Sequence, residues 1–123
     1  MEQKELDEIL QLHKMWLNDE DGGKCAVLRG AVLRDADLRG ADLRIADLRG
    51  ADLDYSFWPL WCGSLDVKVD RRIAAQLAYH FCRLDCDDPD YIAARNAIIH
   101  FANEFHRVEE CGWLEPKEVN TIE

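Results

Sequence analysis

Apolar positions along this chain follow three rhythms. Between residues 2 and 17, Leu6, Ile9, Leu10, His13, Trp16 and Leu17 recur at helical spacing with charged residues between them, which predicts an amphipathic helix. Asn18 and the stretch DEDGG end it, because Asn, Asp and Gly favour turns over a further helical residue. From residue 26 the period becomes five. Six successive pentads, AVLRG, AVLRD, ADLRG, ADLRI, ADLRG and ADLDY, fill residues 26–55. On an α-helix, five steps of about 100° turn each leucine roughly 140° from the last, so no apolar stripe forms. On a flat strand an odd period sends successive leucines to opposite faces. The period is useful only if the chain bends once per pentad. Leu28, Leu33, Leu38, Leu43, Leu48 and Leu53 then point toward a common axis, and the alanine two positions earlier fits the tight corner.

The third rhythm, over residues 66–115, predicts a helical hairpin. Asp70 is a candidate cap for a helix from about Arg71 to Leu84, with Ile73, Ala74, Leu77, Ala78 and Phe81 on its inner face. DCDDPD breaks that helix. Asp88 followed by Pro89 is a start signal for a second, running to about Cys111 and stopped by Gly112. Ile92, Ile98, Ile99, Phe101, Ala102 and Phe105 give it a broad apolar side. The expected organisation is a capping helix and turn over 1–25, a repeat segment over 26–65, and a hairpin with tail over 66–123.

The pattern Ala-(Asp/Val)-Leu-Arg-Xaa resembles the pentapeptide-repeat family, whose consensus is Ala-(Asp/Asn)-Leu-Xaa-Xaa, and the entry LHKMWLNDEDGGKC looks like the helix-plus-glycine lead-in of such proteins. The resemblance implies an α+β fold. Its centre would be a short right-handed quadrilateral β-helix with four pentads per square coil and the six leucines inside. The six pentads would make one and a half coils, or two if SFWPL and WCGSL are degenerate repeats. Such a stack cannot bury its own ends. The N-terminal helix and the C-terminal helical hairpin are therefore expected to cap it, with Phe57, Trp58, Leu60 and Trp61 plugging one end and Trp16 with Leu17 the other. The resemblance further implies a homodimer formed through the C-terminal hairpin.

Charge narrows the classes of partner. The 123 residues are 48% apolar and 33% charged, with a formal net charge of −10. Direct binding to nucleic acid or to an anionic membrane surface is disfavoured, and a basic protein partner is favoured. No apolar run approaches membrane-spanning length, and the charged start MEQKELDEIL lacks the apolar heart of a signal peptide. Five scattered cysteines do not read as a secreted disulfide framework. The expectation is a cytoplasmic protein of a bacterium or of a phage-infected cell. Within the repeats, five arginines nearly cancel six aspartates, Asp35, Asp37, Asp42, Asp47, Asp52 and Asp54. The acidic excess lies outside them, densest at Asp85, Asp87, Asp88 and Asp90. Asp88 as cap and Asp90 in the first turn suit a helix start, whereas Glu109 and Glu110 sit near the expected helix C-terminus, where negative charge is mildly unfavourable.

Candidate chemistry is sparse. Cys82 and Cys86 lie one helical turn apart, with His80, His100, His106 and Cys111 in the same segment, but they match no paired zinc-ligand spacing. No GxSxG, P-loop, HExxH or dinucleotide fingerprint occurs. His80 and Cys82, two apart on a helix, point in different directions. No catalytic residue, metal or cofactor is expected. The resemblance implies a non-enzymatic inhibitor acting by DNA mimicry, since some family members occupy the DNA channel of gyrase or topoisomerase IV and others block CRISPR effectors. Asp37, Asp42, Asp47, Asp52, Asp85, Asp87, Asp88, Asp90, Glu109 and Glu110 would then compete for the basic nucleic-acid site of a larger protein. The alternatives are a structural or adaptor module without mimicry, marked by an exposed apolar patch, and a zinc- or thiol-dependent activity.

Overall fold

Each pentad ends in a tight turn, and these turns build the first part of the molecule. The alanine N–H donates to the leucine carbonyl three residues earlier, from Ala31, Ala36, Ala41, Ala46 and Ala51 to Leu28, Leu33, Leu38, Leu43 and Leu48, at 2.9–3.1 Å. The residue before each donor has left-handed backbone: Gly30, Asp35, Gly40, Ile45 and Gly50, followed by Tyr55 before Ser56, all have φ between 61° and 77°. Every repeat leucine from Leu28 to Leu53 is buried, as are Ala26, Ala36, Ala46 and Ala51.

The computed structural model describes residues 1–119 and divides into two units, Met1–Asp70 and Arg71–Glu123. In the first, helix α1 (Gln3–Leu17) buries Leu6 and His13. His13 joins the helix to the repeats: its Nδ1 accepts from the Ala26 N–H at 2.9 Å and its Nε2 lies 2.8 Å from the Arg44 carbonyl. Because the Ala26 amide is a donor, Nδ1 must be unprotonated, which places the ring proton on Nε2 as a donor to Arg44. Trp16 stacks on His13 with ring centroids 5.7 Å apart but stays partly exposed, so the buried pair at this end is Leu6 and His13.

Backbone hydrogen bonds link residues about twenty apart. Leu28 donates to Asp47 O at 2.7 Å, Asp47 to Ala26 O at 3.0 Å, Leu33 to Asp52 O at 2.8 Å and Leu38 to Phe57 O at 3.0 Å. The parallel bridges they form are isolated: Val27 with Asp47, Val32 with Asp52, Asp37 with Phe57 and Asp47 with Lys68. The expected α+β fold with a quadrilateral β-helix is therefore not what is observed. Helix accounts for about 40% of the chain and strand for only 6%, with no sheet among the described residues. The physical reason lies in the pentad. A turn every five residues leaves one paired residue between corners, whereas strands need a run of several.

WCGSL does not continue the repeats. Between Phe57 and Gly63 the register slips by one residue, so that Asp47 bridges Val27 on one side and Lys68, twenty-one residues on, on the other. A short 3₁₀ turn, Cys62–Ser64, absorbs the extra residue. Pro59 is fully buried there, while Phe57, Leu60 and Trp61 are exposed and do not act as the expected plug.

The second unit holds α2 (Arg71–Cys82), α3 (Pro89–Ala102) and the short α4 (Val108–Cys111). Asp88 caps α3, its carboxylate accepting from the Asp90 and Tyr91 N–H groups at 2.9 and 3.1 Å. The buried face of α2 is Ile73, Ala75, Tyr79 and Cys82, while Leu77 and Phe81 are each 38% exposed. Tyr79 takes the inner position because its polar end has a partner: its hydroxyl donates to Gly112 O at 2.6 Å and its ring packs on Phe105 at 4.8 Å. Helix α3 stops at Ala102 instead of continuing to Cys111, and buries Ile92, Arg95, Ile99 and Ala102. Its core joins Tyr79, Cys82, Ile99, Ala102, Phe105 and Leu114.

Candidate protein-interaction surface

Asp and Arg flank an inward leucine in each complete ADLR unit, so both side chains leave the same face. They close on each other. Arg39 Nε and Nη2 donate to the two Asp37 oxygens at 3.0 Å each, Arg44 to Asp42 at 2.9 and 2.6 Å, and Arg49 to Asp47 at 2.9 and 2.7 Å. Guanidinium hydrogen bonding holds the carboxyls of Asp37, Asp42 and Asp47 below the usual carboxylate range. Arg29 adds a 3.7 Å contact to Asp47. Asp52 pairs across the stack, accepting from Arg34 Nε at 2.6 Å. The four repeat aspartates expected to bind a partner thus share one segment, and each is matched by an arginine.

The remaining expected acids belong to the second unit. Asp85, Asp87, Asp88 and Asp90 are exposed together at the α2–α3 turn, with Asp88 committed to its cap. Glu109 and Glu110 lie in the single turn of α4, not at the end of a long helix, so the expected dipole penalty does not arise. Glu110 pairs with Arg107.

The first unit also exposes large apolar side chains. Leu60 is 93% exposed, Phe57 52% and Trp61 47%, with Tyr55 and Leu65 also open to solvent. Two of these side chains are held in place. The Trp61 indole N–H donates to Ala41 O at 2.9 Å, and the Arg39 guanidinium lies 5.0 Å from the Phe57 ring centroid. Trp61 also walls an open groove of about 240 Å³ beside Leu10, Gln11 and Lys14 of α1 and Ala41 and Asp42 of the repeats. Its openness suits a side chain of a protein partner better than an enclosed small molecule.

The cysteines do not converge. Cys82 is buried, which pushes its thiol pKa up, and its Sγ lies 3.9 Å from Arg95 O; Cys62, Cys86 and Cys111 are exposed. Among the described residues no three His, Cys, Asp or Glu side chains gather as a metal ion would require. No helix among them is long and apolar enough to cross a membrane.

Sequence reasoning overlooked Arg95, Asn96 and Asn103. Arg95 is buried, donating through Nε to Cys82 O at 3.0 Å and through Nη1 to Glu115 O at 2.9 Å. The available signal was the seven-residue spacing of the two asparagines, which places them on one helix face two turns apart.

The regular turns at residues 26–55 coincide with a match to known proteins. A family model described as pentapeptide repeats (8 copies) matches residues 24–56. The chain carries pentapeptide repeats. Such repeats are compatible with a protein-interaction module. No curated protein and no solved structure matches the chain.

Proposed function

We propose that this pentapeptide-repeat protein is a non-enzymatic interaction module that engages a protein partner through the apolar side chains of residues 55–65. The observation that carries this reading is the exposure of Leu60, at 93%, beside Tyr55, Phe57, Trp61 and Leu65. Large apolar side chains gathered in one short segment are characteristic of surfaces that another protein covers. The net charge of −10 favours basic residues at the rim of the partner's pocket. Pentapeptide-repeat proteins are generally non-enzymatic, which agrees with this role.

A second reading keeps inhibition by DNA mimicry, as in phage counter-defence or topoisomerase inhibition. The exposed carboxylates of Asp85, Asp87 and Asp90 favour it. The repeat aspartates do not, because a carboxylate already closed on a guanidinium offers little to a second one.

One experiment separates the two. The wild-type chain, Leu60→Asp and the triple variant D85N/D87N/D90N serve as baits in a lysate, at low and moderate salt, with and without added duplex DNA. Under the first reading the captured partner survives moderate salt, ignores DNA and is lost from Leu60→Asp. A partner retained by Leu60→Asp but displaced by DNA, by salt and by the triple variant overturns the first reading and supports the second.

A further inference from the structure

The C-terminal tail lies along α3 in a form that a separate peptide could adopt. Asn103 grips Leu114 at two points: its Oδ1 accepts from the Leu114 N–H at 2.8 Å and its Nδ2 donates to the Leu114 carbonyl at 3.1 Å. Asn96 does the same for Lys117, at 3.0 and 2.7 Å. Arg95 donates to the intervening Glu115 carbonyl at 2.9 Å. The spacing is matched. Seven helical residues rise about 10.5 Å, and three extended residues cover about 10 Å. Each asparagine amide thus does for the tail backbone what a neighbouring strand would do. Leu114 alone between Trp113 and Val119 is buried, seated against Tyr79, Ile99, Ala102 and Phe105.

We propose that the α2–α3 hairpin is a receptor for an extended segment of another protein, and that residues 113–117 are a built-in competitor occupying it. The segment it fits has one leucine-sized apolar anchor. Its backbone N–H and C=O are free at the anchor and at the third residue beyond, and the residue after the anchor offers its carbonyl to Arg95. Every hydrogen bond described goes to the tail's main chain, so recognition depends on the anchor and an extended backbone more than on neighbouring side chains. Proline at the position of Pro116 suits such a segment, because it keeps the chain extended.

The tail of a second copy is the less favoured occupant. Gly112 and Trp113 alone join α4 to the anchor, a reach of roughly 10 Å. The carbonyls of Cys111 and Gly112 are held by Arg83 at 2.8 Å and by Tyr79 at 2.6 Å, so the link starts from a fixed point on its own hairpin. This inference concerns the second unit and stands apart from the apolar surface of the first.

The test uses the full chain and a fluorescein-labelled peptide, Gly-Trp-Leu-Glu-Pro-Lys-Glu-Val, copied from residues 112–119. In the wild type the tethered tail competes at an effective concentration in the millimolar range. Leu114→Asp releases it, so that variant binds the peptide at least ten-fold more tightly than wild type. Adding Asn96→Ala and Asn103→Ala weakens that binding at least ten-fold, and a peptide with Asp in place of Leu does not bind. A Leu114→Asp chain with full helical signal and no peptide affinity overturns the proposal. So does binding indifferent to the two asparagines, or a chain that dimerises without binding peptide. Hydrogen exchange on the wild type provides a check that does not depend on the variant folding. The Leu114 and Lys117 amides should exchange faster than those inside α2 and α3, and exchange in step with the helices overturns the proposal.

Discussion

Gly40 shows what a single pentad position demands. Its φ is +73°, and a Cβ placed there meets nothing within 4 Å. Gly40→Ala therefore isolates backbone strain from crowding. It should cost the first unit about 1–2 kcal/mol, the usual penalty for an L-residue in left-handed backbone, read from the denaturant midpoint. Ile45 carries the same strain natively at φ 68°, so the repeat tolerates the cost without requiring glycine. The sequence made part of this legible. Leucine at the centre of each pentad announced its burial, and the bend once per pentad was implied by the period. Nothing in the period told which residue would take positive φ, because Ile45 and Tyr55 do not look like turn residues in the way Gly30 and Asp35 do. His13 was readable as a core-facing residue of α1, but its bonds to Ala26 and Arg44 depend on stretches 13 and 31 residues away.

Among the elements, helix starts were easier to read than helix faces or ends. The Asp88–Pro89 pair marks the start of α3, and Asp88→Ala should lower the stability of the second unit by about 1 kcal/mol in thermal or denaturant melts. The inner face of α2 was misread because apolarity alone favours Leu77 and Phe81. Tyr79 wins the buried place since its hydroxyl reaches Gly112 and its ring reaches Phe105, partners that local spacing does not reveal. The early end of α3 has a similar cause. Asn103 turns its side chain to the Leu114 backbone, and the chain leaves the helix to bring that leucine back to the core. The β-helix failed for a different reason, since leucine spacing specifies a bend but not the number of residues that pair between bends.

For the whole molecule, the arginine partners of the repeat aspartates set an acid limit on stability. Asp37, Asp42 and Asp47 are depressed in the folded state below the ordinary value near 4. Groups depressed in this way add stability above the unfolded value and lose it as pH falls through the folded one. Glu104, depressed by Arg71, has the same sign in the second unit. The melting temperature should therefore show no contribution from these groups to any change between pH 5 and 7, then decline below about pH 4. Asp47→Asn should make that decline shallower. High salt should soften it only modestly, because close bidentate pairs are screened less than distant charges.

The repeats have one more property that follows from their two spacings. Leucine returns to the interior every five residues, but each pentad rests on the one about twenty residues along. Duplicating or deleting one pentad between Arg34 and Asp52 would keep leucine at the interior position and shift by one corner each lateral pair that spans the change. Arg34, now beside Asp52, would face a different side chain although no core residue had changed. The segment can thus be resurfaced by slippage of its coding sequence, with the inside conserved by arithmetic and the outside redrawn at each step.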